Sequence, residues 1–373
     1  MKLLYVASSH FKNSNDNFNI SLVAKSKKTS EDREYELQEV AEELYVYNTL
    51  AFIGKNASGK TTAAELLDCC YSVLSDFRLE GKHYSYDNVD LDMVFFHEGY
   101  LYRYITILQP DDSLGNKAVF TNQHIYRKKY YKSKIKTIFG QDGFSELTGF
   151  GVLPEDTSLV FFVLKKRATR AIYFDGFGEG ADTYALLFKA MKNYKIQDGL
   201  FLNIIRIFDE NIKQIERIDD HNYRLVFQDL INRTVSDKEL LYLLSSGTTK
   251  GILLYTLMVA SLQNGFDLIV DEIENHFHKT LVENMLSLYK DKSVNRNNAT
   301  LIFTTHYCEI LDLFNRRDNI WIAKTNPKVY LSNMYEDYEI RTELLKSRQF
   351  YNNAFQTAVN YEELMNMKRK LME

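Results

Sequence analysis

Proline is nearly missing from this chain, with three in 373 residues, and so is tryptophan, with one. Each proline removes a backbone donor and fixes a torsion, so its scarcity leaves long stretches free for strands and packed helices. Cysteine is equally rare. Cys69, Cys70 and Cys308 show no metal-ligand spacing, and Cys69 and Cys70 fall on an expected helix as buried thiols, which fits a reducing cytoplasm. Long apolar runs are missing too: Gly251 to Leu262 is too short to span a bilayer and Met1 to Val6 too short for a signal peptide. No membrane role is expected, and the cytoplasm is the expected location. No heptad repeat runs through 110–235, which excludes a long coiled-coil arm there. Nor is there an excess of positive charge. A net charge of −4 argues against a surface built wholly for nucleic acid, while leaving room for a local basic patch.

What is present is the composition of a globular protein, 45% apolar and 26% charged, long enough for one large α/β domain with insertions or for two domains. The informative segment is Gly54-Lys55-Asn56-Ala57-Ser58-Gly59-Lys60-Thr61, between the apolar run Leu50 to Ile53 and an amphipathic stretch opening at Thr62. Gly-x-x-x-x-Gly-Lys-Thr in a strand-loop-helix setting is a phosphate-binding loop. Its glycines let backbone N–H groups and a helix N-terminus face a phosphate chain, Lys60 adds a point charge, and the Thr61 hydroxyl faces a magnesium ion. A nucleoside triphosphate, ATP with Mg2+, is the expected ligand.

Strands are expected at Leu3 to Ala7, Phe18 to Ala24 and Val46 to Ile53, a helix over 59–77, and a hairpin of Asp92 to His97 with Tyr102 to Leu108 turning near Glu98-Gly99. Residues 1–109 thus read as the first half of a nucleotide-binding domain. Residues 110–235 read as a large insertion, helical over about 156–166 and 182–212, with a hairpin near Asp219 to Asn222. Over 236–335 helices (Thr248 to Gln263, Lys279 to Tyr289, and one ending at Phe314) alternate with strands (Leu268 to Val270, Thr300 to Thr304, Ile320 to Ala323). That rhythm implies a largely parallel, buried sheet. Residues 336–373 read as a helical tail. The expected fold class is α/β, a P-loop core with a mixed, largely parallel sheet and a large α-rich insertion.

Phe266 to Val270 is a buried strand ending in Asp271-Glu272. In a phosphate-loop protein such a pair serves Mg2+ through Asp271 and the attacking water through Glu272. Leu244-Ser245-Ser246-Gly247-Thr248, before a long helix, resembles the Leu-Ser-Gly-Gly-Gln signature of ABC-class ATPases, and Leu301-Ile302-Phe303-Thr304-Thr305-His306, a strand ending in His306, places that residue like their switch histidine. With Asp271-Glu272-Ile273-Glu274-Asn275-His276-Phe277-His278, the set resembles the SMC/RecF/OLD-like branch of ABC ATPases. Within it the chain is most similar to stand-alone AAA-type ATPases of bacterial phage-defence operons. Lys279 stands where that branch usually has proline, Ser246 and Thr248 replace a glycine and the glutamine of the signature, and no Q-loop is evident beyond Gln109 as a candidate.

The resemblance implies a homodimer with two ATP molecules sandwiched between subunits. Lys60, Thr61, Asp271, Glu272 and His306 of one subunit, and Ser245 and Gly247 of the other, would contact each nucleotide. It also implies a conformational cycle that senses infection and controls a separate toxic effector, plausibly a nuclease. A RecF/SMC-like repair ATPase driven by DNA, and a nucleotide-gated scaffold with little turnover, remain open beside it. His276, His278, Glu272 and Glu274 are better explained by their motif than as a separate metal cluster. In Tyr126 to Lys136, six basic residues are interleaved with three tyrosines, a pattern for DNA or RNA contact through Arg127, Lys128, Lys129 and Lys132, or for a solvated face or an acidic partner.

Overall fold

A computed structural model describes the chain apart from residues 80–81, 83, 112–116, 165–169, 176–182, 220, 230, 237–238, 240–245, 276–277, 341–343, 358–360 and 373. The chain opens with β1 (Lys2–Ser9) and β2 (Phe18–Ser21), then β3 (Leu37–Ala41) and β4 (Leu44–Tyr47), then β5 (Thr49–Ile53). β5 runs through the phosphate loop into α1 (Lys60–Ser75). Next come β6 (Val89–His97), β7 (Tyr100–Asp111), β8 (Lys117–Lys129), the short β9 (Ser145–Glu146), α2 (Leu159–Leu164) and β10 (Ala171–Phe174). α3 (Thr183–Tyr194), α4 (Asp198–Phe208), β11 (Ile212–Arg217), β12 (Asn222–Phe227) and β13 (Asn232–Ser236) follow. The last part holds α5 (Ser246–Asn264), β14 (Asp267–Val270), α6 (Lys279–Lys290), β15 (Leu301–Thr305), β16 (Ile320–Thr325), β17 (Val329–Asn333), α7 (Lys346–Tyr351) and α8 (Tyr361–Lys370).

One sheet has the order β10-β14-β15-β5-β16-β17, parallel throughout except for β17. This is a mixed, largely parallel sheet with β5, the strand that leads into the Gly54 to Thr61 loop, inside it. β5, β14 and β15 are buried at every position, as strands covered on both faces must be, and this is why they read as unbroken apolar runs. Alternation then divides their side chains. Ala51, Ile53, Leu268, Val270, Leu301 and Phe303 join the core under α3, α4, α5 and α6. Leu50, Phe52, Ile269, Ile302 and Trp321 join the core of α1 and the second sheet, which is antiparallel with the order β2-β1-β6-β7-β8-β9. Phe52 is wholly buried, and cutting such a side chain to alanine costs about 3–5 kcal/mol.

Three sequence expectations change in detail. The run Val46 to Ile53 is not one strand. It breaks at Asn48, whose amide donates to the Glu36 carbonyl at 2.9 Å and whose side chain donates to the Tyr35 carbonyl at 2.7 Å, so that β4 pairs with β3 while β5 enters the parallel sheet. The helical stretch over 182–212 is two helices, divided where Lys195 takes φ +53. The segment leading to Phe314 is a 3-10 helix, Cys308–Leu313. By contrast, the hairpin turn sits at Glu98 and Gly99, both with positive φ (47° and 83°), as a two-residue primed turn requires.

Segment 110–235 is woven into the core. β8 pairs with β7 from Asp111↔Lys117 to Tyr100↔Lys129, and β10 lies parallel to β14. Leu187, Phe201, Ile205, Tyr223 and Leu225 share one core with the parallel sheet.

Candidate active site

The phosphate loop leaves the C-terminal end of β5 and winds tightly because two glycines permit it. A Cβ on Gly54 would stand 2.6 Å from the Ala323 carbonyl oxygen. Gly59 has φ +96 and lies against the Val329 methyls. Lys55, Asn56 and Ala57 form the exposed crest, with Ala57 also at positive φ, and Ser58 turns inward, its amide donating to the Lys55 carbonyl at 3.2 Å. Lys60, Thr61 and Thr62 start α1, the end of the helix whose unpaired N–H groups and dipole favour an anion. Lys60 is buried, and its ammonium donates to the carbonyls of Gly54 and Lys55, both at 3.1 Å. Burial lowers its pKa, while Glu272, Glu274 and Asp271 oppose the shift.

The neighbouring parallel strands bring the acidic residues beneath the loop. Asp271 follows β14 and takes two hydroxyl hydrogens: from Thr61 on Oδ2 at 2.9 Å and from Thr304 on Oδ1 at 2.6 Å. Glu272 follows with φ +49, a left-handed conformation that turns its carboxylate away from the strand line. Its Oε1 lies 3.1 Å from Nε2 of His306, and its Oε2 accepts from the Asn275 side chain. Burial pushes the Glu272 carboxyl up, but the His306 and Asn275 hydrogen bonds, with the His306 and Lys60 charges, outweigh this and hold it below the ordinary glutamate value. Glu274 is buried and reaches across to accept the His306 amide hydrogen.

The residues present fit a triphosphate with a hard divalent cation. Ser58 Oγ is buried against Gly54, where a Cβ would collide with it, so it supports the tight turn of the loop. Thr61 Oγ1 and Asp271 Oδ2 are oxygen donors already placed side by side, the ligand type Mg2+ takes.

Not every expected residue joins this group. Ser245 lies outside the described residues, as does His276, and Gly247 sits in the first turn of α5. His278 accepts from the Thr280 amide at 3.4 Å and caps α6. Gln109 pairs with Val119 near the end of β7. The basic run is strand and 3-10 helix, and four of its six cations make contacts within the chain. Arg127 lies 4.8 Å from the Tyr100 ring and Lys128 4.1 Å from that of Phe144, Lys129 faces Tyr131, and Lys132 pairs with Glu42. Sequence reasoning assigned no role to Thr304, Glu274 or Asn275. The one available signal was Thr304 itself, the point where the apolar run Leu301 to Phe303 gives way to hydroxyls.

No protein family and no curated sequence matches this chain. Similar solved structures include the SMC head domain from Thermotoga maritima, at 12% identity and TM-score 0.40 over 89% of this chain and 99% of that one. An SMC head bound to the C-winged helix domain of ScpA has 10% identity and TM-score 0.45 over 90% and 99%. The recombination mediator protein RecF with ATP has 9% identity and TM-score 0.37 over 89% and 98%. Likeness at this level assigns no role to any residue, so function rests on the geometry of the site. Among the described residues no helix is long and apolar enough to cross a membrane.

Proposed function

We propose that this chain is an ATPase of the ABC class, converting ATP and water to ADP and phosphate. The observation that carries the reading is the meeting, under one phosphate loop, of Thr61 with Asp271 at 2.9 Å and of Glu272 with His306 at 3.1 Å, residues 34 or more positions apart in the chain. Lys60 and the loop amides hold the phosphates. Thr61 and Asp271 would hold Mg2+, which when bound neutralises charge on the phosphates. Glu272 orients the attacking water and takes its proton, and His306 holds the Glu272 carboxylate towards the γ-phosphate side. On this reading the enzyme is a homodimer closed by two shared ATP molecules, with Ser245 and Gly247 supplied by the partner, and opened by hydrolysis. Following the motif resemblance, the cycle serves as an infection sensor that restrains or releases a separate toxic effector.

The test compares steady-state hydrolysis by wild type and Glu272→Gln, with light scattering of each in Mg-ATP. Glu272-dependent turnover and an ATP-stabilised dimer of the glutamine variant are expected. A variant as fast as the parent removes the catalytic assignment, and a monomer at saturating Mg-ATP removes the sandwich. Turnover that rises steeply with DNA alone would replace the effector-control reading with a DNA-driven one.

A further inference from the structure

β15 ends in Thr304-Thr305 and His306 follows it, and the reading above uses only the histidine. Thr304 is completely buried, yet its hydroxyl touches both acidic residues: it accepts the Glu272 amide hydrogen at 2.7 Å and donates to Asp271 Oδ1 at 2.6 Å. Its carbonyl oxygen accepts the next amide, that of Ile273, at 3.0 Å. We propose that Thr304 is a positioning residue for nucleotide hydrolysis, its hydroxyl fixing Asp271 and Glu272 relative to each other; the inference rests on the ATPase reading.

A hydroxyl has one hydrogen to give and lone pairs to receive, so a single side chain can satisfy an acceptor and a donor together. Here the acceptor is the carboxylate expected to hold Mg2+, and the donor is the backbone of the residue expected to activate water. Asp271 is held at both oxygens, by Thr61 and Thr304. Were Thr61 to hold a cation instead, the Thr304 hydroxyl would still hold Asp271 at Oδ1. Glu272 needs the second half of the arrangement more. Its φ of +49 is a conformation that persists in a non-glycine residue only where the surroundings impose it. Thr304 receives two consecutive amides, from Glu272 and Ile273, through its side chain and its main chain. Any residue supplies the main-chain oxygen, but only an alcohol supplies the other. Glu274 completes the brace in the opposite direction by accepting the His306 amide, so the acidic loop and the end of β15 hold each other.

The test uses the full chain and three variants. Thr304→Val keeps the shape and removes the hydroxyl, Thr304→Ser keeps the hydroxyl, and Glu272→Gln reports the underlying activity. Lost supporting partners of metal ligands cost roughly 10–100-fold, and a fall of that size is expected in kcat and in apparent Mg2+ affinity for the valine variant. KM for ATP should stay within about threefold, because Lys60 and the loop are untouched. Serine should restore kcat to within about threefold of wild type. If the valine variant does not fold, Thr304→Ala replaces it. A folded variant without the hydroxyl that keeps wild-type kcat overturns the inference, as does a serine variant as slow as valine. Wild-type protein that turns over no ATP overturns the ATPase reading itself, and equal turnover by wild type and Glu272→Gln removes the role of Glu272 that the inference rests on, whereas an inactive Glu272→Gln beside an active Thr304→Val sinks Thr304 alone.

Discussion

Replacing Gly59 by alanine asks whether the phosphate loop is built around one missing side chain. Gly59 has φ +96, and an added Cβ would stand 2.8 Å from Val329 Cγ2 and 3.0 Å from Val329 Cβ. The left-handed backbone costs an L-residue about 1–2 kcal/mol, and forcing a methyl into packed surroundings adds about 1–3 kcal/mol. Gly59→Ala should therefore lose about 2–5 kcal/mol. Val329 cannot simply move aside. Its amide donates to the Asn13 carbonyl at 2.8 Å, and its carbonyl accepts the Asn15 amide at 2.8 Å. Val329→Ala alone removes two methyl groups from a buried position and should cost about 2 kcal/mol. In the double variant the clash with the two Val329 methyls is gone, leaving backbone strain and a tight Cβ–Cβ approach of 3.0 Å, so the two losses should fall short of additivity by about 1–3 kcal/mol. Urea denaturation of the four proteins gives the coupling. Additivity to within about 0.5 kcal/mol would show that Val329 does not set the glycine requirement, and the packing argument would fail.

Glu272→Gln should lower kcat by about 10²–10⁴, the usual contribution of a general base, while a fluorescent ATP analogue still binds; retained turnover contradicts the assignment. Asn275→Ala removes a donor that helps hold Glu272 below the ordinary glutamate range. A carboxyl with depressed pKa stays ionised, and contributes its stability, above the unfolded value, and loses both as pH falls through the folded value. The acid limb of kcat/KM should therefore move to higher pH in the variant, and an unmoved limb rejects the hydrogen bond. Arg316→Met strands two acidic groups: Arg316 pairs with Asp318 at 2.6 Å and Asp32 at 2.9 Å, its side chain and that of Asp318 being 2% and 0% exposed. Breaking such a buried pair costs about 3–5 kcal/mol at neutral pH by urea denaturation, and a loss under about 1 kcal/mol would refute its role. Burial pushes Asp318 up and Arg316 more than reverses this, so without the arginine Asp318 protonates at higher pH and the deficit should shrink as pH is lowered.

The phosphate loop, the acidic strand end and the histidine strand were legible because each is local: a fixed spacing, an apolar run, a residue type at its end. β14 and β15 are buried on both faces, so their sequences needed no partner to announce them. Asn48 was not legible as a break, since its signal is the pair of carbonyls at Tyr35 and Glu36, a dozen residues away. β8 lies within the segment read as an insertion, and its pairing with β7 is a register between strands that neither strand shows alone. Nor does the basic run show by itself that Lys128 and Lys132 meet Phe144 and Glu42, contacts made from other segments.

By itself, the order of residues determined that a glycine-bounded loop with its lysine and a strand ending in two carboxylates exist, because each is written within a few positions of the chain. Only the tertiary structure decided how they act together. The distances from Thr61 to Asp271, from Thr304 to both acids and from Glu272 to His306 are set by the parallel register of β5, β15 and β14. Register is a property of how strands lie side by side, and no strand carries it alone.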